Sequence, residues 1–276
     1  MPIVSIVKGE DPYIRTMKAL EMLDDLDLPA QARVLVKFNL APYFLFHERW
    51  TGVDPRAVYA IVDFLKDHGM GDIVVGEGPA AGEKVSAGFE DCGYTALCRD
   101  LGLRLVDLDA EEGVDVSIPD GKVLRSVKIA KTAAERDFRI SVAVLRTHSL
   151  CLVSLCMKNL MGILTPPKGF MHDQFEEKIC DLCSLIKPKL SVIDGSIGQE
   201  GRGPPDAGPI RMDVTVAGID VVAVDAVGAA IMGLQPERVP YLKRAQERGL
   251  GTCDLGKIQI VGEPIESVRH PFKIPF

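Results

Sequence analysis

Apolar positions along the chain follow two rhythms. Residues 4–9 (VSIVKG), 33–40 (RVLVKFNL), 72–78 (DIVVGEG), 103–109 (LRLVDLD), 137–148 (DFRISVAVLRTH), 190–195 (LSVIDG), 213–218 (DVTVAG) and 257–263 (KIQIVGE) are short, β-branched and almost continuously apolar. Such runs read as buried strands. Between them the spacing changes to three and four. DPYIRTMKALEML begins with Asp11 as a cap and Pro12 at the first helical position. Residues 54–69 repeat the device with Asp54 and Pro55, and Gly69 ends the helix. Further helices are expected within 90–102, around 150–163 and 173–187, and over 221–233 and 240–249. Strands apolar on both faces, alternating with helices, imply a mostly parallel sheet with helices on both faces. Residues 110–131 break the rhythm by alternating apolar and polar positions around Asp120-Gly121. They predict a β-hairpin with a two-residue turn, inserted at the sheet's edge. With no internal repeat or linker, residues 1–276 read as one α/β domain.

Composition narrows the class. The hydrophobic share of 47% and charged share of 26% are those of a globular chain with an adequate core. The formal net charge of -7, without basic clusters, argues against a nucleic-acid surface. Residues 1–15 reach acidic positions early and lack a long apolar stretch, so no signal peptide is expected. The most apolar run, 138–164, is interrupted by Arg139, Arg146, His148 and Lys158. No membrane span is read there, since one needs about 20 mostly apolar residues. Seven scattered cysteines, an odd number, fit reduced thiols and a cytoplasmic location.

Those interrupting residues are the candidate chemistry. LRTHSLCLVSLCMKNLMG (145–162) carries Arg146, Thr147, His148, Lys158 and Asn159 in otherwise core-like surroundings. Read as strand, turn and helix, it places Ser149 as a cap, with free amides able to attract an anion. Helical spacing puts Cys151, Ser154, Lys158 and Gly162 on one stripe and Leu150, Val153, Met157 and Met161 on the other. A lysine on a narrow stripe of small residues can neutralise an anion or, when desolvated, act as a base. His172, after LTPPKGFM, is a second acid/base candidate facing His148. Lys37, Asn39, Glu77 and Asp194 fall at strand ends, where open α/β sheets bind ligands. The Gly/Pro-rich connection to residue 211 reads as a binding loop or lid carrying Glu200 and Arg202. Taken singly, each has an ordinary use, such as a helix end, a solvated loop or an edge pair. Their coincidence at strand ends points to a pocket.

Other motifs carry less. VVGEGPAAG (74–82) follows a strand, and Asp107 ends the next one. Its glycine spacing is not G-x-G-x-x-G, Glu77 would face the phosphates, and Pro79 removes a donor. Cys180 and Cys183 form a lone C-x-x-C within a helical pattern, which favours core packing over an iron–sulfur site. No G-x-S-x-G elbow is present.

VKFNL, DIVVGEGP, LRTHSLCLVSLCMKNLMGIL with the following His172, VIDGSIGQEGRGP and AGIDVVAVDAVGAAIMGL together resemble the DUF362 family, a domain of unknown function. Family members often carry lysine where this chain has Arg146. Many relatives are joined to ferredoxin-type cysteine clusters, which this chain lacks. His148, Lys158 and Gly162 are also similar to lactate-racemase-type proteins, in which a nickel-pincer nucleotide interconverts 2-hydroxy acids; here VSLCM replaces the glycine-rich segment before the lysine.

The expected function is an enzyme acting on a small anionic, carboxylated substrate by proton transfer, of isomerase, racemase or decarboxylase type. Lys158, Lys37 and Arg146 would hold charge, and His148 and His172 would move protons. Asp194 or Glu200 would assist, with Asn39, Glu77, Thr147, Asn159 and Arg202 as further contacts. No metal ligands are assigned and the cofactor is left open. A homo-oligomer and a ferredoxin-type partner also stay open. The other readings are an iron–sulfur or metal-associated redox partner, as the fused relatives imply, and a non-catalytic nucleotide- or anion-binding module.

Overall fold

A computed structural model describes residues 1–24, 26–40, 51–78, 85–203 and 207–274. The strands are β1 (Ile3–Lys8), β2 (Val34–Phe38), β3 (Ile73–Glu77), β4 (Arg104–Asp107), β5 (Gly113–Ser117), β6 (Ser126–Ala130), β7 (Phe138–His148), β8 (Leu152–Val153), β9 (Leu190–Gly201), β10 (Ala207–Gly218) and β11 (Gln259–Gly262). The main sheet has the order β11-β1-β10-β9-β7-β2-β3-β4. Within that path β10 runs against both neighbours and the other pairings are parallel. The expected mixed α/β architecture with a mostly parallel sheet is therefore present.

Alternation along the strands feeds two cores. Val34, Val36 and Phe38 of β2 join the helices Pro12–Glu21 and Pro55–Asp67 on one face, whereas Leu35 joins the other face. That second face is covered by the helices Phe175–Leu185, Val221–Ile231 and Pro240–Glu247. Two-sided burial is why these strands lack an exposed polar row. The local helix signals operate as expected. Asp11 accepts the Ile14 amide and Asp54 accepts the Arg56 amide, each just ahead of a proline.

Three expectations need correction. First, residues 150–155 are not helical. Leu152 takes a positive φ of 67°, β8 folds back on the end of β7, and the Ser154 amide bonds the Arg146 carbonyl at 2.9 Å. The helix is confined to Cys156–Asn159 and tightens to a 3₁₀ turn over Leu160–Ile163. Ser149 therefore caps nothing, and no continuous stripe links Cys151 to Gly162. Leu and Val suit strand as well as helix, and pairing with β7 decides. Second, the described residues of 195–211 are mostly strand: β9 and β10 pair antiparallel as far as Gly201 and Ala207, with a bulge between Arg211 and Val214. The glycines there serve close approach. A Cβ on Gly198 would lie 2.7 Å from the Phe272 ring, and one on Gly195 would lie 2.6 Å from Val214 Cγ1. Third, β5 and β6 pair antiparallel as their own two-stranded sheet, off the main sheet's edge. Residues 118–125 connect them in place of a two-residue turn. The Asp181 carboxylate, on the helix Phe175–Leu185, holds that connection by accepting the amides of Lys122, Val123 and Leu124 at 2.8 Å each.

Candidate functional site

The parallel strands β2, β3 and β7 end at one rim. Lys37, Asn39, Glu77, Gly78 and Arg146 from those strand ends meet Ser154, Lys158, Asn159, Met161 and Gly162. Lys168, Gly169 and His172 close the ring. They enclose a cavity of about 170 Å³. A cavity of about 150 Å³ accommodates a benzene-sized molecule, so a compact ligand fits. A larger hollow of about 620 Å³ lies at the opposite rim, beside Ala32, Asp137, Phe138 and Lys189. Its Asp137 is already paired with Arg33 in an exposed salt bridge, so the convergent buried charge is in the smaller cavity.

Much of this charge is internally matched. Lys37 is 3% exposed and pairs with Glu77 at 2.6 Å. It also donates to Asn159 Oδ1. Burial pulls the Lys37 ammonium down, and Glu77 opposes that. Glu77 further accepts the Leu40 amide at 3.0 Å and the Gly78 amide at 2.9 Å. Asn159 Nδ2 donates to Ser141 Oγ at 3.0 Å and to the Val142 carbonyl at 3.1 Å. Lys168 pairs with Asp109 at 2.5 Å and donates to the Gly78 carbonyl at 3.1 Å. Gly78 and Gly162 let these segments touch. A Cβ on Gly162 would run into the Lys37 side chain, and one on Gly78 would strike the Gly162 carbonyl.

Lys158 differs. Its ammonium lines the cavity and has no hydrogen bond or ion pair among the described residues. Burial pulls it down to about 8, with Arg146 and Lys37 adding repulsion and the Cys151 thiol opposing. Arg146 is buried and reaches Ser154 Oγ at 3.4 Å. Burial draws its guanidinium down to about 10, against the pull of Glu77. Asn39 is 8% exposed, and its Oδ1 is buried without a partner. An unmet buried oxygen costs roughly 1–3 kcal/mol.

The histidines divide. His172 is exposed and lines the cavity, with Nδ1 3.2 Å from the Gly169 carbonyl. His148 lies beside the lining residues but not among them. Its Nδ1 accepts the Leu150 amide at 3.1 Å, which leaves the proton on Nε2. Burial, then the charges of Lys158 and Arg146, push it down to about 2. It is therefore a neutral imidazole at ordinary pH.

Three expected contacts are held elsewhere and a fourth is exposed. Asp194 accepts from buried Arg15 at 2.8 Å, from the Ser196 amide at 2.9 Å and from the Asp54 amide at 2.7 Å. Its carboxylate joins β9 to two helix starts. Thr147 Oγ1 donates to the Gly201 carbonyl at 2.8 Å. Glu200 holds Lys273, accepting its amide at 2.9 Å. Arg202 is exposed beyond the end of β9. The anion site expected at a helix start near Ser149 is also absent. The amides that open the short helix, Cys156 and Met157, are both bonded to Asp225.

Sequence reasoning missed Lys168 and Asp225. Lys168 stood beside His172 in TPPKGFMH, and a buried cation could have been suspected there. Asp225 lies in a run of valines and alanines, and an acid amid VVAVDAVGAA is itself the signal. Cys180 and Cys183 are buried against the core. Among the described residues no three His, Cys, Asp or Glu side chains gather as a metal-ligand set. No described helix is long and apolar enough to cross a membrane. Residues 79–82 of the glycine-rich loop after β3 lie outside the described residues.

Comparison with known proteins places this architecture. The chain is 25% identical over 229 residues to a thylakoid-associated protein of Synechocystis sp., an alignment covering 80% of this chain and 70% of that protein. Residues 34–230, which contain β2, β3, β7, the short helix with Lys158, and Asp225, match the model of a domain of unknown function. The chain therefore belongs to the DUF362 family.

Proposed function

We propose that the chain is an enzyme that binds a small carboxylated anion in the 170 Å³ cavity and moves a proton on it, in an isomerase, racemase or decarboxylase type of reaction. One observation carries this reading: Lys158 presents a half-buried ammonium to the cavity, with no hydrogen bond or ion pair among the described residues and a proton affinity drawn down to about 8. A partly desolvated cation without a counter-charge is stabilised when an anion arrives. A lysine brought down to about 8 can also exchange its proton at physiological pH. Arg146, with its planar fork, is suited to the carboxylate. Asn39 Oδ1 can accept from a donor on the ligand. His172, at the cavity wall, is the second proton-transfer group, and neutral His148 can only donate a hydrogen bond from Nε2. Lys37 and Lys168, tied to Glu77 and Asp109, shape the floor.

The test is a panel of small carboxylic acids incubated with the protein in D₂O, with exchange of the carbon-bound proton next to the carboxyl followed by NMR. Lys158→Ala should lower exchange by about 10²–10⁴-fold. Unchanged exchange in Lys158→Ala, or none with any acid of the panel, would remove the catalytic reading. Binding that depends on Lys158 without exchange would leave an anion-binding module. Metal analysis of anaerobically purified protein tests the redox-partner reading, and cell fractionation tests the expected cytoplasmic location against the association named for the Synechocystis relative.

A further inference from the structure

Asp225 is fully buried in the middle of the helix Val221–Ile231. Its Oδ1 accepts the Cys156 amide at 2.8 Å and its Oδ2 accepts the Met157 amide at 2.9 Å. The Tyr241 hydroxyl lies 3.4 Å from Oδ2. Among the described residues no lysine or arginine pairs with Asp225. Its other surroundings are the second apolar core. Burial pushes the carboxyl up to about 7, opposed first by those two amide bonds. A carboxylate kept in such a place without a cation is expensive, and replacing buried ionic groups by apolar ones is often neutral or stabilising.

The two amides it holds are the first two of Cys156–Asn159, the helix that carries Lys158. Helices are usually capped from within by the residue ahead of the first turn. Here that residue is Leu155, whose aliphatic side chain has no acceptor and cannot cap. The other end of the same turn is tied down by Asn159, bonded to Ser141, Val142 and Lys37. Lys158 sits between these two anchors and bonds to neither.

We propose that Asp225 is the positioning residue of the site: it fixes the short helix from outside so that Lys158 is presented to the cavity. It touches no ligand and acts through the backbone of Cys156 and Met157. This inference rests on the reading of Lys158 given above.

The experiment uses the full chain with its lysines reductively methylated with ¹³C, and Lys158 assigned by the signal lost in Lys158→Arg. Wild-type Lys158 should titrate near 8. In Asp225→Asn, which cannot accept both amides, the helix is released and Lys158 becomes solvated. Its proton affinity should rise by about tenfold or more, toward that of an ordinary lysine. A folded Asp225→Asn protein with lowered Tm but unchanged Lys158 titration would reduce Asp225 to a structural cap and overturn the inference. An ordinary titration of Lys158 in the wild type would overturn the reading of the site as well. Should the variant fail to fold, amide hydrogen exchange in the wild type decides. Cys156 and Met157 amides should be protected as strongly as those of β7, and rapid exchange would refute the anchoring.

Discussion

Lys158 decides how the cavity should respond to pH. Its ammonium is drawn below the ordinary lysine value of 10.5 to about 8. As the anchor for an anion it is half charged at about 8, increasingly charged below that and increasingly neutral above. Affinity for small carboxylates should therefore be flat up to about pH 7 and fall about tenfold per unit well above 8, as measured by calorimetry. If Lys158 is the base, turnover at saturating ligand should rise through the same range. The same shift has a sign for stability: the folded state disfavours this charge, so the penalty is present below 8 and is relieved as pH rises from 8 toward 10.5. Burial draws Lys37 down as well, but its counter-charge, Glu77, is built in. Glu77→Ala would strand a buried ammonium and two backbone amides, and should cost about 3–5 kcal/mol in denaturant unfolding. A loss under 1 kcal/mol would show that the pair is not closed in solution. The residue types at this site were legible because buried cations and amides interrupt apolar strands. Their division of labour was not. Lys37 and Lys158 look equivalent in sequence, and only the proximity of Glu77 to one of them separates a structural pair from a reactive group.

Elements with local determinants were read correctly, and those with remote determinants were not. Pro12–Glu21 and Pro55–Asp67 carry their own caps within three residues, so their boundaries follow from the chain itself. Residues 150–163 carry an apolar pattern that serves helix or strand, and the end of β7 claims them. The glycines of β9 mimic a loop because sequence alone cannot show that Phe272 and Val214 press against them. The hairpin β5–β6 was visible through its alternation, but its connection is specified by Asp181, far along the chain. Asp181→Asn should therefore act on this element first. It should speed amide exchange across residues 118–125 while leaving β7 protected, since three amide bonds and the 2.7 Å pair with Arg248 converge on that carboxylate. Equal loss of protection across β7 would instead make Asp181 a keystone of the whole sheet.

At the scale of the molecule, a chain of net charge -7 assembles a local concentration of cations at one sheet rim. The overall field resists anions, so affinity must come from the enclosed cavity, where low dielectric strengthens each contact. Sequence by itself determined the class of fold, because periodicity and two-sided hydrophobicity are local records of what each segment must bury. It also exposed most of the cations and amides that line the cavity, because polar groups inside apolar runs are costly enough to stand out. Tertiary structure alone decided which of them meet. The order β9-β7-β2-β3 brings residues more than a hundred positions apart to one rim, binds Asp194, Thr147 and Glu200 into other tasks, and adds Lys168 and Asp225 from distant segments. Contacts at that separation depend on how whole elements pack, and no short-range pattern in the chain encodes the packing.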